Sequence, residues 1–180
     1  MEDLTRDLLL IAKGNELAFN EFMNHYMEGI YYHAYGILSN KEMAEEVVSD
    51  VFLEAWRNRK LLPEIKALKA WLNTIAYRKS VSYLRKEKKH DKNIAVEEIA
   101  SFTLPETETP IDGVINREEL KMLDSAINTL PPKCKHVFYL AKFEQLPYNE
   151  IAQILEISLA TVNYHVSTAM SALKKKLAHA

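Results

Sequence analysis

Apolar residues recur at three- and four-residue steps over stretches several helical turns long, and this pattern restricts the chain to an all-α fold. Between Asn15 and Leu38 the positions Leu17, Phe19, Phe22, Met23, Tyr26 and Ile30 follow helical spacings. A second stretch carries Met43, Val47, Val48, Val51, Phe52 and Ala55 as its buried stripe, and a third, from about Lys66 to Lys89, carries Leu68, Leu72, Ile75 and Ala76. Breakers are few, with 4 Gly and 6 Pro in 180 residues, so little opposes helix formation. Ser39 reads as the N-cap of the second helix, with Glu42 at the capping-box spacing. Pro63 separates the second helix from the third.

Periodicity fades from about Asp91 to Gly113, where Pro105 and Pro110 bound an acidic, turn-prone run. The expectation is two small helical domains, residues 1–92 and 114–180, joined by an acidic linker at 93–113. A hydrophobic content of 48% suffices for a core in each and excludes disorder throughout. The second domain restarts with a helix from about Val114 to Asn128, followed by Leu130-Pro131-Pro132, where Pro132 fits a first helical position.

Several function classes drop out. One cysteine, Cys134, cannot form an internal disulfide, and no Cys/His cluster has zinc-site spacing, so neither a metal nor a cofactor is expected. Met1 to Lys13 is acidic before it is apolar, and no apolar run approaches the ~18 residues of a membrane span. Neither export nor membrane insertion is expected, and the reducing cytoplasm is the expected compartment. Glu21, His25 and Glu28 share a helix face and Glu87 and His90 have E-x-x-H spacing, but no second copy completes a di-iron set. Cys134 has no histidine in a catalytic signature, and its neighbours Lys133 and Lys135 suit a helix start. No catalytic residue and no small-molecule substrate is expected.

Charge is segregated along the chain. Residues 1–56 hold 3 Lys/Arg against 11 Asp/Glu, residues 57–93 hold 12 against 3, residues 94–131 hold 2 against 8, and residues 132–180 hold 6 against 3. Such blocks suit acidic surface for one partner and two basic surfaces for a polyanion, although solvated helix faces also produce them.

Two constellations fit a nucleic acid. On the third helix Trp71, Thr74, Arg78, Ser82 and Arg85 follow steps of three and four, flanked by Tyr77 and Tyr83. Aromatic rings among cations suit an unpaired strand, whose bases stack while the cations hold its backbone. The same pattern is compatible with Trp71 and the tyrosines packing into the bundle. Near the C-terminus, Tyr148 to Val162 has the layout of a helix-turn-helix, with Ala152 at the close crossing and Ile151, Leu155, Ile157, Val162 and Val166 as its shared core. Ser158 can cap its second helix. Thr161, Asn163, Tyr164, His165 and Thr168 then reach toward base edges, with Ser158, Ser167 and Lys174 to Lys176 available to phosphates. An ordinary helical hairpin is the alternative.

Three stretches in fixed order carry a resemblance: Ala44-Glu45-Glu46-Val47-Val48-Ser49-Asp50-Val51-Phe52-Leu53-Glu54-Ala55-Trp56, then Lys69 to Ala76 running into Tyr83-Leu84-Arg85-Lys86, then Leu130-Pro131-Pro132 through the helix-turn-helix. Over nearly its whole length the chain resembles bacterial sigma factors of the extracytoplasmic-function (ECF) group, within the sigma-70 family. The resemblance implies a promoter-reading subunit of RNA polymerase that directs promoter recognition, melting and initiation without catalysis of its own. Residues 1–92 would be region 2, residues 93–113 a linker threading the RNA exit path, and residues 114–180 region 4.

The resemblance further implies that Asp50, Phe52, Glu54 and Trp56 contact the clamp coiled coil of core RNA polymerase. The loop from about Asn58 to Ala67, with Arg59 and Lys60, would capture a flipped base of the minus-ten element. Trp71, Asn73, Thr74, Tyr77 and Arg78, with Arg85 and Lys86, would hold the opened strand. Ser158, Thr161, Asn163, Tyr164, His165, Ser167, Thr168 and Lys174 would meet the minus-thirty-five element as duplex. Partners are then core polymerase and promoter DNA, duplex and melted, with an anti-sigma factor as a further candidate. Departures from the family pattern are Glu156 where glycine is usual in the turn, Pro147 where Ser or Thr caps, and Asn163, Tyr164 and His165 where many relatives carry Lys or Arg. A less regular turn and lower electrostatic affinity at this helix are expected.

Overall fold

The computed structural model describes residues 2–87, 101–103 and 125–177. Contacts divide the chain at Val96–Glu97 into two units, and among the described residues every regular element is helical. The expected all-α class is therefore observed. Most of the expected linker at 93–113 and of the expected helix at 114–128 lies outside the described residues, although 125–128 are helical.

The first unit holds α1 (Glu2–Ala12), α2 (Glu16–Leu38), α3 (Lys41–Arg57), a 3-10 turn (Leu62–Glu64) and α4 (Leu68–Glu87). Past the end of α1, Gly14 takes φ +90° and its N–H donates to the Ile11 carbonyl at 2.8 Å, a left-handed stop that a Cβ would strain. Asn15 caps α2 by accepting the Ala18 N–H at 3.0 Å. The cap of α3 is Asn40, not Ser39: Asn40 is extended and accepts the Met43 N–H at 2.9 Å. Ser39 instead closes α2 in the left-handed region at φ 51°. A residue in that conformation cannot also present the extended backbone an N-cap needs.

Behind these caps lies an aromatic core. Phe52 on α3 meets Phe19 and Phe22 of α2 edge-on, with ring centroids 6.5 and 6.1 Å apart. Each such ring contributes roughly 1.5–3 kcal/mol by burial. α4 packs on both α2 and α3, and α1 packs on α2 and on the 3-10 turn, where Ile11 and Leu62 are fully buried.

The second unit holds α5 (Pro132–Lys142), α6 (Tyr148–Leu155) and α7 (Leu159–Leu177). Pro132 opens α5 as expected. Val137, Leu140, Ile151, Ile154, Val162, Val166, Ala169 and Leu173 are buried, so the helical periods of the three elements converge on one core. Buried Tyr139 donates its hydroxyl to Glu144 Oε1 at 3.0 Å, which ties the loop after α5 back to that helix. Phe102, inside the expected linker, is also buried. Its ring stacks on His136 at 4.4 Å and tilts against Tyr139 at 5.5 Å, so this residue is part of the second unit's core. Among the described residues no helix is long and apolar enough to cross a membrane.

Candidate polymerase and nucleic-acid interfaces

The valines and Phe52 on α3 turn inward, which leaves Glu42, Glu45, Glu46, Ser49 and Leu53 exposed and Asp50 and Glu54 half-buried. Lys79 of α4 sits 3.6 Å from Asp50 and 3.7 Å from Glu54. Such partly exposed pairs are worth little in stability, and this lysine faces a strip with more carboxylates than it can balance, so the strip stays acidic. Tyr83 lines a depression of about 470 Å3 with Glu42, Glu45, Glu46, Ser49 and Asp50. Burial, then the Asp50 charge and hydrogen bonding to Glu46, push its hydroxyl up from the ordinary tyrosine range.

Phe52 does not belong to that strip. It is 2% exposed, because its place one turn after Val48 puts it on the stripe that closes over Phe19 and Phe22. Its role is to hold α3 against α2. Trp56 is half-buried, 4.9 Å from the Phe19 ring. Arg59 lies 4.7 Å over the Trp56 ring and donates from Nη1 to the Trp56 carbonyl at 3.1 Å, so this cation is engaged within the loop. Lys60 and Leu61 are exposed beside it.

Along α4, Trp71 and Thr74 are half-buried, and Arg78, Ser82, Arg85 and Lys86 are exposed. The stripe thus runs from a partly seated ring to open cations. The Thr74 hydroxyl donates to the Ala70 carbonyl at 2.8 Å, and the Lys86 ammonium lies 5.5 Å from the Tyr83 ring centroid. Tyr77 is half-buried. Asn73 departs from expectation: it is 0% exposed, and its Nδ2 donates to the Lys69 carbonyl at 3.0 Å. Two residues turn a helix by about 200°, so Asn73 cannot share the face of Trp71. It is closed to a DNA strand.

The helix-turn-helix is regular despite its unusual residues. Glu156 adopts φ 55° and its N–H donates to the Ala152 carbonyl, so a non-glycine residue fills the left-handed cap. Pro147 precedes α6 without a side-chain cap, and its carbonyl accepts the N–H groups of Glu150 and Ile151, each at 3.0 Å. The expected irregularity is absent because the backbone supplies what the side chains do not. Ser158 caps α7 as expected, accepting the Thr161 N–H at 3.0 Å, and its hydroxyl lies 2.7 Å from that of Thr161.

On α7, Val162 and Val166 face inward, while Asn163, Tyr164, Ser167 and Lys174 are exposed and Thr161, His165 and Thr168 are half-buried. Tyr164 projects furthest, at 65% exposure. Asn163 donates from Nδ2 to the Leu159 carbonyl at 2.9 Å. His165 Nδ1 lies 3.1 Å from Cys134 Sγ. Burial, then the Lys133 charge, lower the His165 pKa, which favours the neutral imidazole.

Two family descriptions match the chain: Sigma-70 region 2 over residues 22–90 and Sigma-70, region 4 over residues 120–173. The chain belongs to the sigma-70 family. It is a sigma factor of the ECF group, a non-catalytic subunit that directs RNA polymerase to promoters for transcription initiation, and its partners are core RNA polymerase and promoter DNA. It is 28% identical over 178 residues to the ECF sigma factor SigW of Bacillus subtilis, across 93% of this chain and 92% of that protein. It is 26% identical over 176 residues to SigK of Mycobacterium bovis, across 97% and 94%. Its fold is similar to CnrH in complex with the cytosolic domain of CnrY, with TM-score 0.61 and 20% identity over 97% of each chain. It is also similar to RpoE in complex with the anti-sigma factor NepR from Bartonella quintana, with TM-score 0.60 and 22% identity over 98% of each chain.

In this sigma factor, the acidic outer face of α3 is legible in the sequence, but of its residues only Asp50 and Glu54 are named among the expected contacts. Glu42, Glu45, Glu46, Ser49 and Leu53, the last 46% exposed, continue the strip of Asp50 and Glu54. The signal was present as three- and four-residue steps opposite the valine stripe.

Proposed function

We propose that the two units divide promoter engagement between three surfaces. The acidic strip of α3, centred on Asp50 and Glu54 and extended by Glu42, Glu45, Glu46 and Leu53, docks on a basic part of core RNA polymerase. The α4 stripe of Trp71, Thr74, Arg78, Ser82, Arg85 and Lys86, with Lys60 and Leu61 beside it, melts and holds the strand of the minus-ten element. Its half-seated ring offers one stacking face, and the exposed cations follow the backbone. The α7 surface of Thr161, Asn163, Tyr164, His165, Ser167 and Thr168 reads the minus-thirty-five element in the major groove, with Ser158 and Lys174 near phosphates.

Residues 1–92 act as region 2 and residues 114–180 as region 4, and the intervening tether passes along the RNA exit path. Phe102 extends the second unit toward the tether. Two DNA contacts on one chain add avidity without either being tight. This sigma factor works in the cytoplasm. Because folds similar to this one are seen with CnrY and NepR, an anti-sigma factor is its candidate restraint.

The observation that carries the reading is the exposure of Arg78, Ser82 and Arg85 on the face of α4 that also bears Trp71. The test is transcription in vitro with core polymerase over a genomic DNA library. New start sites that depend on the chain are expected. None above core enzyme alone would refute promoter opening.

A further inference from the structure

One side-chain contact, between residues 31 positions apart, ties α7 to α5: Cys134 Sγ to His165 Nδ1 at 3.1 Å. Cys134 lies in the first turn of α5 and is 4% exposed. His165 is half-buried, and its Nδ1 edge meets the buried cysteine. The sulfur is a thiol, since burial pushes its pKa up, and the imidazole beside it favours its neutral form. With the ring neutral, only two arrangements remain. Either the S–H donates to Nδ1, or an Nδ1–H donates to sulfur.

The first is favoured, because an unprotonated imidazole nitrogen is a far better acceptor than a thiol sulfur. A neutral imidazole carries one proton, so a ring accepting at Nδ1 holds it at Nε2. We propose that Cys134 is a positioning residue for promoter reading, holding His165 with its proton on Nε2 so that α7 offers a fixed donor to the major groove.

This inference rests on α7 being the helix that reads duplex DNA. In the major groove a donor matches guanine O6 and N7, adenine N7 or thymine O4, and it opposes the amino group of cytosine. An imidazole that exchanges freely between tautomers offers a donor or an acceptor and rejects neither. The cysteine thereby sets base preference without touching DNA. Its effect is confined to the one base that His165 meets.

The tautomer is directly measurable. In the 15N-labelled full chain, long-range proton–nitrogen spectra report which ring nitrogen of His165 carries the proton, with His165→Gln assigning the signals. The expected result is protonated Nε2 and unprotonated Nδ1 in the wild type, exchange between tautomers in Cys134→Val, and return to the wild-type pattern in Cys134→Ser. Protonated Nδ1 in the wild type, or an unchanged spectrum in Cys134→Val, would overturn the proposal. With core polymerase, Cys134→Val should lower base discrimination about two- to tenfold at one position of the minus-thirty-five element, and Cys134→Ser should restore it. Loss spread evenly over all positions would mean that Cys134 only packs. A wild-type chain selecting no duplex would instead sink the reading of α7 itself, while the spectrum still reports the tautomer.

Discussion

Helices α4 and α7 both set a polar stripe opposite a buried one, yet their polar groups are engaged differently. On α4 the outer positions are cations and a hydroxyl open to solvent, namely Arg78, Ser82, Arg85 and Lys86. On α7 the cations wait until Lys174, and several of the polar groups at and before its third turn are already bonded within the unit. Ser158 is paired with Thr161, Asn163 with the Leu159 carbonyl and His165 with Cys134. Open cations and a ring suit a flexible strand of any sequence, whereas oriented groups suit the fixed pattern of base edges in a duplex. If both helices face DNA as proposed, charge alone does not identify a DNA-facing helix. What matters is whether the side chains are free to follow the ligand or held to select it.

The largest effect should come from removing the packing behind the first surface. Phe52→Ala should cost the first unit about 3–5 kcal/mol in chemical denaturation, because the ring fills the space between Phe19 and Phe22, and should leave the transition of the second unit in place. A cost near that of a surface substitution would return Phe52 to the polymerase contact.

Next in size is Trp71→Ala. It should weaken the hold of the polymerase complex on an opened minus-ten strand by about 1–3 kcal/mol, with binding to core polymerase unchanged. Equal losses in both assays would mean that the half-buried ring serves the bundle, and the comparison with α7 would fail at its first term.

The smallest effect sharpens the other side. Ser158→Ala removes the cap of α7 and should cost the second unit about 1 kcal/mol in thermal unfolding. Duplex binding should fall with it, and holding of the opened strand should not change. A variant that unfolds normally yet loses duplex binding would assign Ser158 to a phosphate rather than to the helix.

The misplacements of the sequence reading have a common physical origin. Phe52 and Asn73 enter the expected contact sets through the family resemblance, which carries no information on burial in this chain. On a helix, however, a residue two positions away lies on nearly the opposite side, and burial separates Phe52 from Asp50 and Leu53. Ser39 and Asn40 are both capable caps, and the choice between them depended on which took the left-handed conformation at the end of α2. Leu8 and Ile11 of α1 gained their role only by packing where Leu62 closes the loop. Phe102 lies in a stretch with no helical period, so nothing nearby announced that its ring would stack on His136.

Sequence alone settled the helical class, the order of the helices from α2 to α4 and from α5 to α7, the capped turn before α7 and the segregation of charge, because each follows from spacing or composition within a few neighbouring residues. Tertiary structure alone decided which polar residues face solvent and which are sealed, and it brought Cys134 to His165 across 31 positions. Helical periodicity specifies angles about one axis, whereas a contact between helices depends on how several axes pack together, and no local pattern encodes that.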